Sequence, residues 1–138
     1  MKVLLDADVL LDVALDREPF ADESSKVVEW CQKQPLSGVV AWHTVSNVYY
    51  VLRSARSDAQ ARKFVQDMLR FAAVVSAGSD AVHRALSLTI SDFEDALQVA
   101  AAMAADARLI ITRNVRDYRN SAVPPCTPHE FLPRVEAS

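Results

Sequence analysis

Short apolar runs alternate with longer amphipathic stretches along the chain. The apolar runs have the length of buried strands, whereas the stretches between them carry apolar residues at the spacing of one helix face. Strands that alternate with helices in this way indicate the α/β fold class, in which a parallel sheet carries helices on both faces. We predict strands at 3–5, 38–41, 73–75 and 109–112, with a short fifth strand at 124–126.

The amphipathic stretches begin at residues that can cap a helix. His43 or Thr44 is a candidate N-cap for the third helix, Ser57 or Asp58 for the fourth, and Ser91 for an alanine-rich sixth helix. We predict helices at 8–16, 22–33, 43–56, 58–71, 79–88 and 92–107, and a last helical turn that begins near residue 127.

Length and composition narrow the classes of protein that fit this pattern. The chain has 138 residues, which is the size of one ordinary domain, so we expect a single domain over 1–138. A hydrophobic fraction of 51% is sufficient for one buried core. Only two glycines occur, and there is neither a P-loop nor a G-x-G-x-x-G motif, so nucleotide cofactors of those classes have no support.

Charge and cysteine content add little to this picture. The net charge of −3 does not indicate a nucleic-acid binder, but it does not exclude one, because bound metal would cancel part of the negative charge. Cys31 and Cys126 lie too far apart for a metal-binding motif, so we expect two free thiols. No apolar run approaches the ~20 residues of a membrane span. We therefore expect a cytoplasmic protein that does not enter a membrane.

Acidic side chains occur at three places that the predicted fold brings to one edge of the sheet. Asp6 ends the first strand, Asp92 and Asp95 open the alanine-rich helix, and Asp117 follows the fourth strand together with the amide of Asn114. Acids at a helix start are common because they interact favourably with the helix dipole. Three acidic sites near the carboxyl ends of parallel strands, where ligands bind in open α/β sheets, favour a shared function instead.

Clustered carboxylates repel one another unless a cation lies among them. With oxygen ligands and no cluster of Cys or His, the preferred ions are Mg²⁺ and Mn²⁺. We predict Asp6, Asp92, Asp95 and Asp117 as catalytic and metal-binding residues, with Asn114 as a further ligand. The chemistry that fits is metal-assisted hydrolysis of a phosphodiester.

Three motifs together resemble the PIN-domain family, whose members include the VapC-type ribonuclease toxins. They are LDADVLL at 5–11, DFEDALQ at 92–98 and TRN at 112–114. The resemblance implies a three-layer α/β/α sandwich around a short, mainly parallel sheet of four to five strands. It also implies a Mg²⁺- or Mn²⁺-dependent endoribonuclease that acts on RNA, forms a homodimer and binds a small antitoxin protein.

The resemblance carries over to individual positions. Asp6 and Asp95 match the first and the later metal-site aspartates, and Asp92 is an extra acid of the branch with this motif. Asn114 stands where many members have aspartate, and Asn47 stands where the family usually has glutamate. We therefore expect weaker metal binding than a fully acidic site gives, with Asp92 and Asp117 as sources of compensating charge.

Polar residues beside the acids are candidates for contact with RNA. Arginines on the same rim can bind phosphates, and we predict Arg113 and Arg116 in that role. Thr112 and Asn47 complete the predicted substrate-binding set.

Two other functions remain open from the sequence. Asp6-Ala7-Asp8 after a strand also fits the D-x-D motif of haloacid-dehalogenase-like phosphatases, but Leu10 stands where that motif has threonine, and no matching late lysine follows. The other alternative is a PIN-like scaffold that binds RNA or protein without cutting, because two acids have become amides.

Overall fold

Five short strands form one parallel sheet in the structure, a computed structural model that describes residues 1–136 of the chain. The last two residues of the predicted 1–138 domain lie outside the described part. In chain order the strands are β1 (Val3–Leu5), β2 (Gly38–Val40), β3 (Ala73–Val74), β4 (Leu109–Ile111) and β5 (Pro125–Cys126). Their order across the sheet is β3-β2-β1-β4-β5, and every pairing is parallel. The predicted parallel α/β sheet is confirmed.

Helices cover both faces of this sheet. They are α1 (Ala7–Ala14), α2 (Ala21–Lys33), α3 (Trp42–Ala55), α4 (Asp58–Met68), α5 (Ser79–Ser87), α6 (Phe93–Ala104) and α7 (Pro128–Glu136), with a 3₁₀ helix at Val115–Tyr118 after β4.

Side-chain alternation along the strands separates two cores. Val3 and Leu5 of β1 point to the face covered by α1, α2, α3, α4 and α7, whereas Leu4 points to the face covered by α6. Helix α5 packs in turn against α6 through Ala85 and Ala100. The result is the predicted three-layer arrangement, and it explains why the central strands are apolar at every position.

The structure corrects several predicted helix ends. The Ser57 side chain caps α4 as predicted, but the cap of α6 is Asp92 rather than Ser91. Helix α3 begins after Ala41 with no side-chain cap, so neither His43 nor Thr44 serves there. The last helix is nine residues long instead of a single turn. Such errors arise because adjacent Ser and Asp residues are equally good caps, and the apolar period does not fix the terminal residue.

Two further expectations concern membrane-spanning helices and the cysteines. Within residues 1–136 no helix has the length and apolar character needed to cross a bilayer. Cys31 and Cys126 are free thiols, and both are buried in the core.

Candidate active site

The strand order brings Asp6 to the carboxyl edge of the sheet beside β4. Asp6 follows β1 directly, and its backbone N–H donates to the Ile111 carbonyl oxygen at 2.9 Å. It is also the N-cap of α1, because its Oδ1 accepts from the Ala7 N–H at 2.8 Å. One residue therefore ends the central strand and starts a helix, which fixes its carboxylate at the edge.

Neutral donors hold the Asp6 carboxylate from three further directions. The Gln98 side-chain amide donates to Oδ1 at 2.8 Å. The hydroxyls of Thr112 and Tyr118 donate to Oδ2 at 2.9 and 3.0 Å. Gln98 and Thr112 are buried, and the Thr44 hydroxyl donates to the Gln98 side-chain oxygen at 3.3 Å. The carboxylate is thus oriented precisely, but these contacts bring it no positive charge.

Asp95 lies next to Asp6 through a shared hydrogen-bond partner. The Tyr118 hydroxyl that contacts Asp6 is also 3.3 Å from Asp95 Oδ1. Asp92 caps α6 by accepting from the Asp95 N–H at 3.0 Å, so Asp95 stands in the first turn of that helix. Burial raises the pKa of Asp95 to about 6, and the negative charges of Asp92, Asp117 and Asp6 add to the shift. The four acids predicted from the sequence therefore share one electrostatic environment.

Asp8 is a fifth carboxylate at this edge. Its Oδ2 accepts from the Arg113 backbone N–H at 3.0 Å and from the Asn114 side-chain amide at 3.2 Å. Its Oδ1 is buried and has no hydrogen-bond partner in the described part of the chain. Burial, followed by the charge of Asp6, raises the pKa of Asp8 to about 6.

Charge from Asp6 and Asp95 also affects the tyrosine between them. Burial and these two carboxylates raise the pKa of Tyr118, so its hydroxyl remains protonated and acts as a donor.

Several predicted substrate-binding residues have other partners in the structure. Thr112 is fully buried beneath Asp6, so it orients that carboxylate and is not open to substrate. The Arg113 guanidinium turns to Asp12, to which it donates twice, at 2.7 and 3.0 Å. The Asn47 side chain donates to Glu94, which we did not include in the site. Arg116 is exposed on the 3₁₀ helix, where a phosphate could reach it.

Asn114 and Asp117 differ in their relation to the acidic centre. Asn114 is exposed, and its amide faces Asp8. Asp117 is exposed on the 3₁₀ helix and is close enough for its charge to raise the pKa of Asp95.

The predicted site leaves out three residues of this edge, namely Gln98, Tyr118 and Asp8. Two of them carry a signal in the sequence: Asp8 follows the first strand beside Asp6, and Gln98 is a polar residue among the alanines of α6, where a buried amide requires polar partners. Tyr118 carries no such signal, because a tyrosine that follows a strand can pack in the core as readily as it can contribute to a site.

The oxygen donors at this edge of the sheet suit a hard cation. Among residues 1–136 no three His, Cys, Asp or Glu side chains are close enough together to hold a metal ion. Asp6 and Asp95 do approach one another, as their contacts with a single hydroxyl show. Sites for Mg²⁺ often use one or two carboxylates and complete the shell with water and substrate phosphate. The residues present fit an ion of that class.

An apolar groove lies apart from these acids, between α3 and α4. Trp42, Tyr49, Tyr50 and Leu69 line it, with Arg62 at its edge. Trp42 and Tyr50 are exposed, so they do not belong to the core.

Comparisons with known proteins agree with the fold. A family model described as PIN domain matches residues 2–116. Among curated proteins none matches the sequence.

Solved structures with a similar fold come from several bacteria. VapBC2 from Rickettsia felis, bound to a DNA fragment from its promoter, is 13% identical with a TM-score of 0.70, covering 92% of this chain and 98% of that chain. A toxin–antitoxin complex from Klebsiella pneumoniae is 20% identical with a TM-score of 0.71, covering 94% and 100%. VapC20 from Mycobacterium tuberculosis, a toxin that cleaves the sarcin–ricin loop, is 11% identical with a TM-score of 0.64, covering 79% and 87%. Identities this low show a shared fold.

Proposed function

Because the chain belongs to the PIN domain family, we propose that it is a metal-dependent endoribonuclease and the toxin of a toxin–antitoxin pair. The observation that carries the proposal is the approach of Asp6 and Asp95. The two carboxylates meet at the carboxyl edge of β1 and β4, and both contact the Tyr118 hydroxyl. The similarity in fold to VapC20, a toxin that cleaves the sarcin–ricin loop, supports RNA as the substrate class.

In this proposal Asp6 and Asp95 hold Mg²⁺ or Mn²⁺. When bound, such an ion would supply an activated water and positive charge at the phosphate and the leaving oxygen. Gln98 and Thr112 keep the Asp6 carboxylate in one orientation. Asp92 and Asp117 add negative charge that attracts the ion, and Asn114 supplies an amide oxygen at the rim.

Binding of RNA is assigned to the exposed rim. Arg116 is the predicted phosphate contact that is open to solvent. The Asn47 side chain, from α3, donates to Glu94 in the first turn of α6 and so lies close to the acids of that helix. Arg113 contributes through its backbone N–H, which fixes Asp8, while its side chain stabilises the fold.

The proposal extends to partners and location. Structures of similar fold include toxin–antitoxin complexes, which supports a small antitoxin protein as a partner of this chain. We further propose that the chain is a single domain over 1–138, that it forms a homodimer and that it is cytoplasmic.

A second candidate is a PIN-like scaffold that binds RNA or protein without cutting it. It is favoured by the absence of a group of three metal-binding side chains within residues 1–136. The family match supports neither cutting nor scaffolding alone, but it favours both over the phosphatase alternative.

The test is RNA cleavage by the wild-type protein and Asp95→Asn in the presence of Mn²⁺. Asp95 is not the cap of α6, so the substitution leaves the helix start intact. We expect cleavage to fall by at least about 100-fold, the order seen when a group that stabilises transition-state charge is removed. Asp67→Asn is the matched control, because Asp67 forms a surface pair with Lys63.

Circular dichroism verifies that both variants fold. Cleavage retained in Asp95→Asn contradicts the assignment of Asp95. Wild-type binding of RNA without any cleavage, across a panel of structured RNAs with Mn²⁺, favours the scaffold.

A further inference from the structure

The Asp6 carboxylate has no acceptor position left in the structure. Two carboxylate oxygens offer about four lone-pair sites. Oδ1 accepts from the Ala7 N–H and the Gln98 amide, both at 2.8 Å. Oδ2 accepts from the hydroxyls of Thr112 at 2.9 Å and Tyr118 at 3.0 Å. An ion that binds Asp6 therefore has to displace one of these four donors.

Three of the four donors are fixed by other parts of the fold. The Ala7 N–H belongs to the first turn of α1. Gln98 is buried, and its side-chain oxygen accepts from Thr44. Thr112 is buried, its hydroxyl also lies 3.4 Å from Asp8 Oδ2, and its hydroxyl oxygen accepts from the Asn114 N–H at 3.0 Å, which holds it in place. Displacing the Ala7 or the Gln98 donor leaves a polar group buried without a partner, which is costly.

The Tyr118 hydroxyl differs from the other donors. Both of its contacts are with acids of the centre, at 3.0 Å to Asp6 and 3.3 Å to Asp95. A phenol has one proton, so it cannot donate fully to two carboxylates at once. Tyr118 is itself buried, and its ring packs in the core on the α6 face of the sheet, so the ring stays in place and only the hydroxyl gives up its contacts.

We propose that the Tyr118 hydroxyl occupies the place between Asp6 and Asp95 that a divalent cation takes, so that the cation must displace it. This inference rests on the proposed metal-dependent function. Tyr118 is then a positioning residue that holds the two carboxylates together without metal and competes with metal for them. Removal of the hydroxyl removes the competitor and leaves two unscreened negative charges, so metal affinity rises.

The first test is calorimetric titration of Mn²⁺ into the wild-type protein, Tyr118→Phe and Tyr49→Phe. The Tyr49 hydroxyl also contacts an aspartate, Asp58, but on the surface between α3 and α4, so Tyr49→Phe is the matched control. We expect Tyr118→Phe to bind Mn²⁺ about tenfold more tightly, which corresponds to one lost hydrogen bond to a charged group. Tyr49→Phe should bind as the wild type does.

A second measurement follows the hydroxyl directly. Adding Mn²⁺ should change the ultraviolet difference spectrum of tyrosine in the wild-type protein and in Tyr49→Phe, because the Tyr118 hydroxyl loses its hydrogen bonds to the two carboxylates. The change should be absent in Tyr118→Phe. The wild-type and Tyr49→Phe spectra remain a test even if Tyr118→Phe does not fold.

The outcomes separate this inference from the function on which it rests. Equal or weaker Mn²⁺ binding by folded Tyr118→Phe, with wild-type binding intact, overturns the competition. A wild-type tyrosine spectrum that does not change on Mn²⁺ binding also overturns it. Absence of Mn²⁺ binding in all three proteins overturns the metal site itself, and the inference with it.

Discussion

Two carboxylates on the same stretch of chain, the buried Asp12 and the partly buried Asp6, have opposite surroundings. Asp12, on α1, is fully buried and accepts two hydrogen bonds from the Arg113 guanidinium, with the Ser24 hydroxyl at 3.4 Å. The Arg17 guanidinium lies 3.9 Å from Asp12 Oδ1. Asp6, six residues earlier in the sequence, is held by neutral donors and lies near other acids.

The difference shows which of these charges the fold neutralises. A buried carboxylate is tolerated in a fold when a cation is paired with it, as Arg113 is with Asp12. Phe20 supports that pair, because its ring lies 4.0 Å from the guanidinium. At the edge of the sheet, no Lys, Arg or His within residues 1–136 forms an ion pair with Asp6, Asp8 or Asp95, although the charge of Arg113 acts on Asp8 from a distance. We interpret the unneutralised charge as the part of the molecule reserved for a cation from solution.

The largest effect is expected from a substitution that breaks the Asp12–Arg113 ion pair. Asp12→Asn leaves the partly buried Arg113 without its counter-charge and should lower the free energy of unfolding by roughly 3 kcal/mol. Urea denaturation measures it. The surface substitution Asp67→Asn is the control and should change the free energy by less than about 0.5 kcal/mol. If both variants lose the same small amount, the Asp12–Arg113 pair does not have the structural role described.

At the acidic centre, removal of a charge should stabilise the fold instead of destabilising it, by an amount that depends on pH. The folded-state pKa of Asp95 is raised to about 6 from its ordinary 3.8, so its ionised form destabilises the metal-free fold above pH 6. The cost is relieved as pH falls from about 6 towards 4, where the folded state binds a proton before the unfolded state does.

Asp95→Asn should therefore be more stable than the wild type at pH 7 without metal, and the difference should vanish near pH 4. Urea denaturation across this range measures the gap between the two proteins. A gap that stays constant with pH, or a variant that is less stable at pH 7, shows that the charge of Asp95 carries no such cost.

The smallest effect concerns the arginines of the rim. Of the two arginines predicted to bind phosphate, Arg113 is paired with Asp12, whereas Arg116 is exposed and can reach a phosphate. Arg116→Ala should weaken RNA binding a few-fold and make it less sensitive to salt, while the free energy of unfolding stays within about 0.5 kcal/mol. Fluorescence anisotropy at several salt concentrations measures this. An unchanged salt dependence removes Arg116 from the RNA-binding surface.

Local patterns were sufficient to predict the sheet and the position of its acids. An apolar run that ends in Asp6, and a second that ends before Thr112, become adjacent parallel strands, and so their ends meet. The partners of those acids could not be predicted in the same way. Asp12 and Arg113 are 101 positions apart, and Asp6 and Tyr118 are 112 apart, so only the packed fold brings them together.

Residue type alone does not predict the role of Arg113 or Thr112, because that role depends on which groups are buried. Arg113 looked like a phosphate contact because it follows a strand at the functional edge. Its side chain pairs instead with the buried Asp12. An unpaired charge in the protein interior costs more free energy than an unpaired phosphate in water. Thr112 likewise was expected to bind substrate and proved to be buried beneath Asp6.

The central claim is that Asp6 and Asp95 form a site for a divalent cation, in contrast to the neutralised Asp12. The most direct test is calorimetric titration of Mn²⁺ into the wild-type protein, Asp95→Asn and Asp67→Asn. We predict saturable binding by the wild type and by Asp67→Asn, and its loss in Asp95→Asn. Saturable binding by Asp95→Asn with wild-type affinity, or none by the wild-type protein, would contradict the claim.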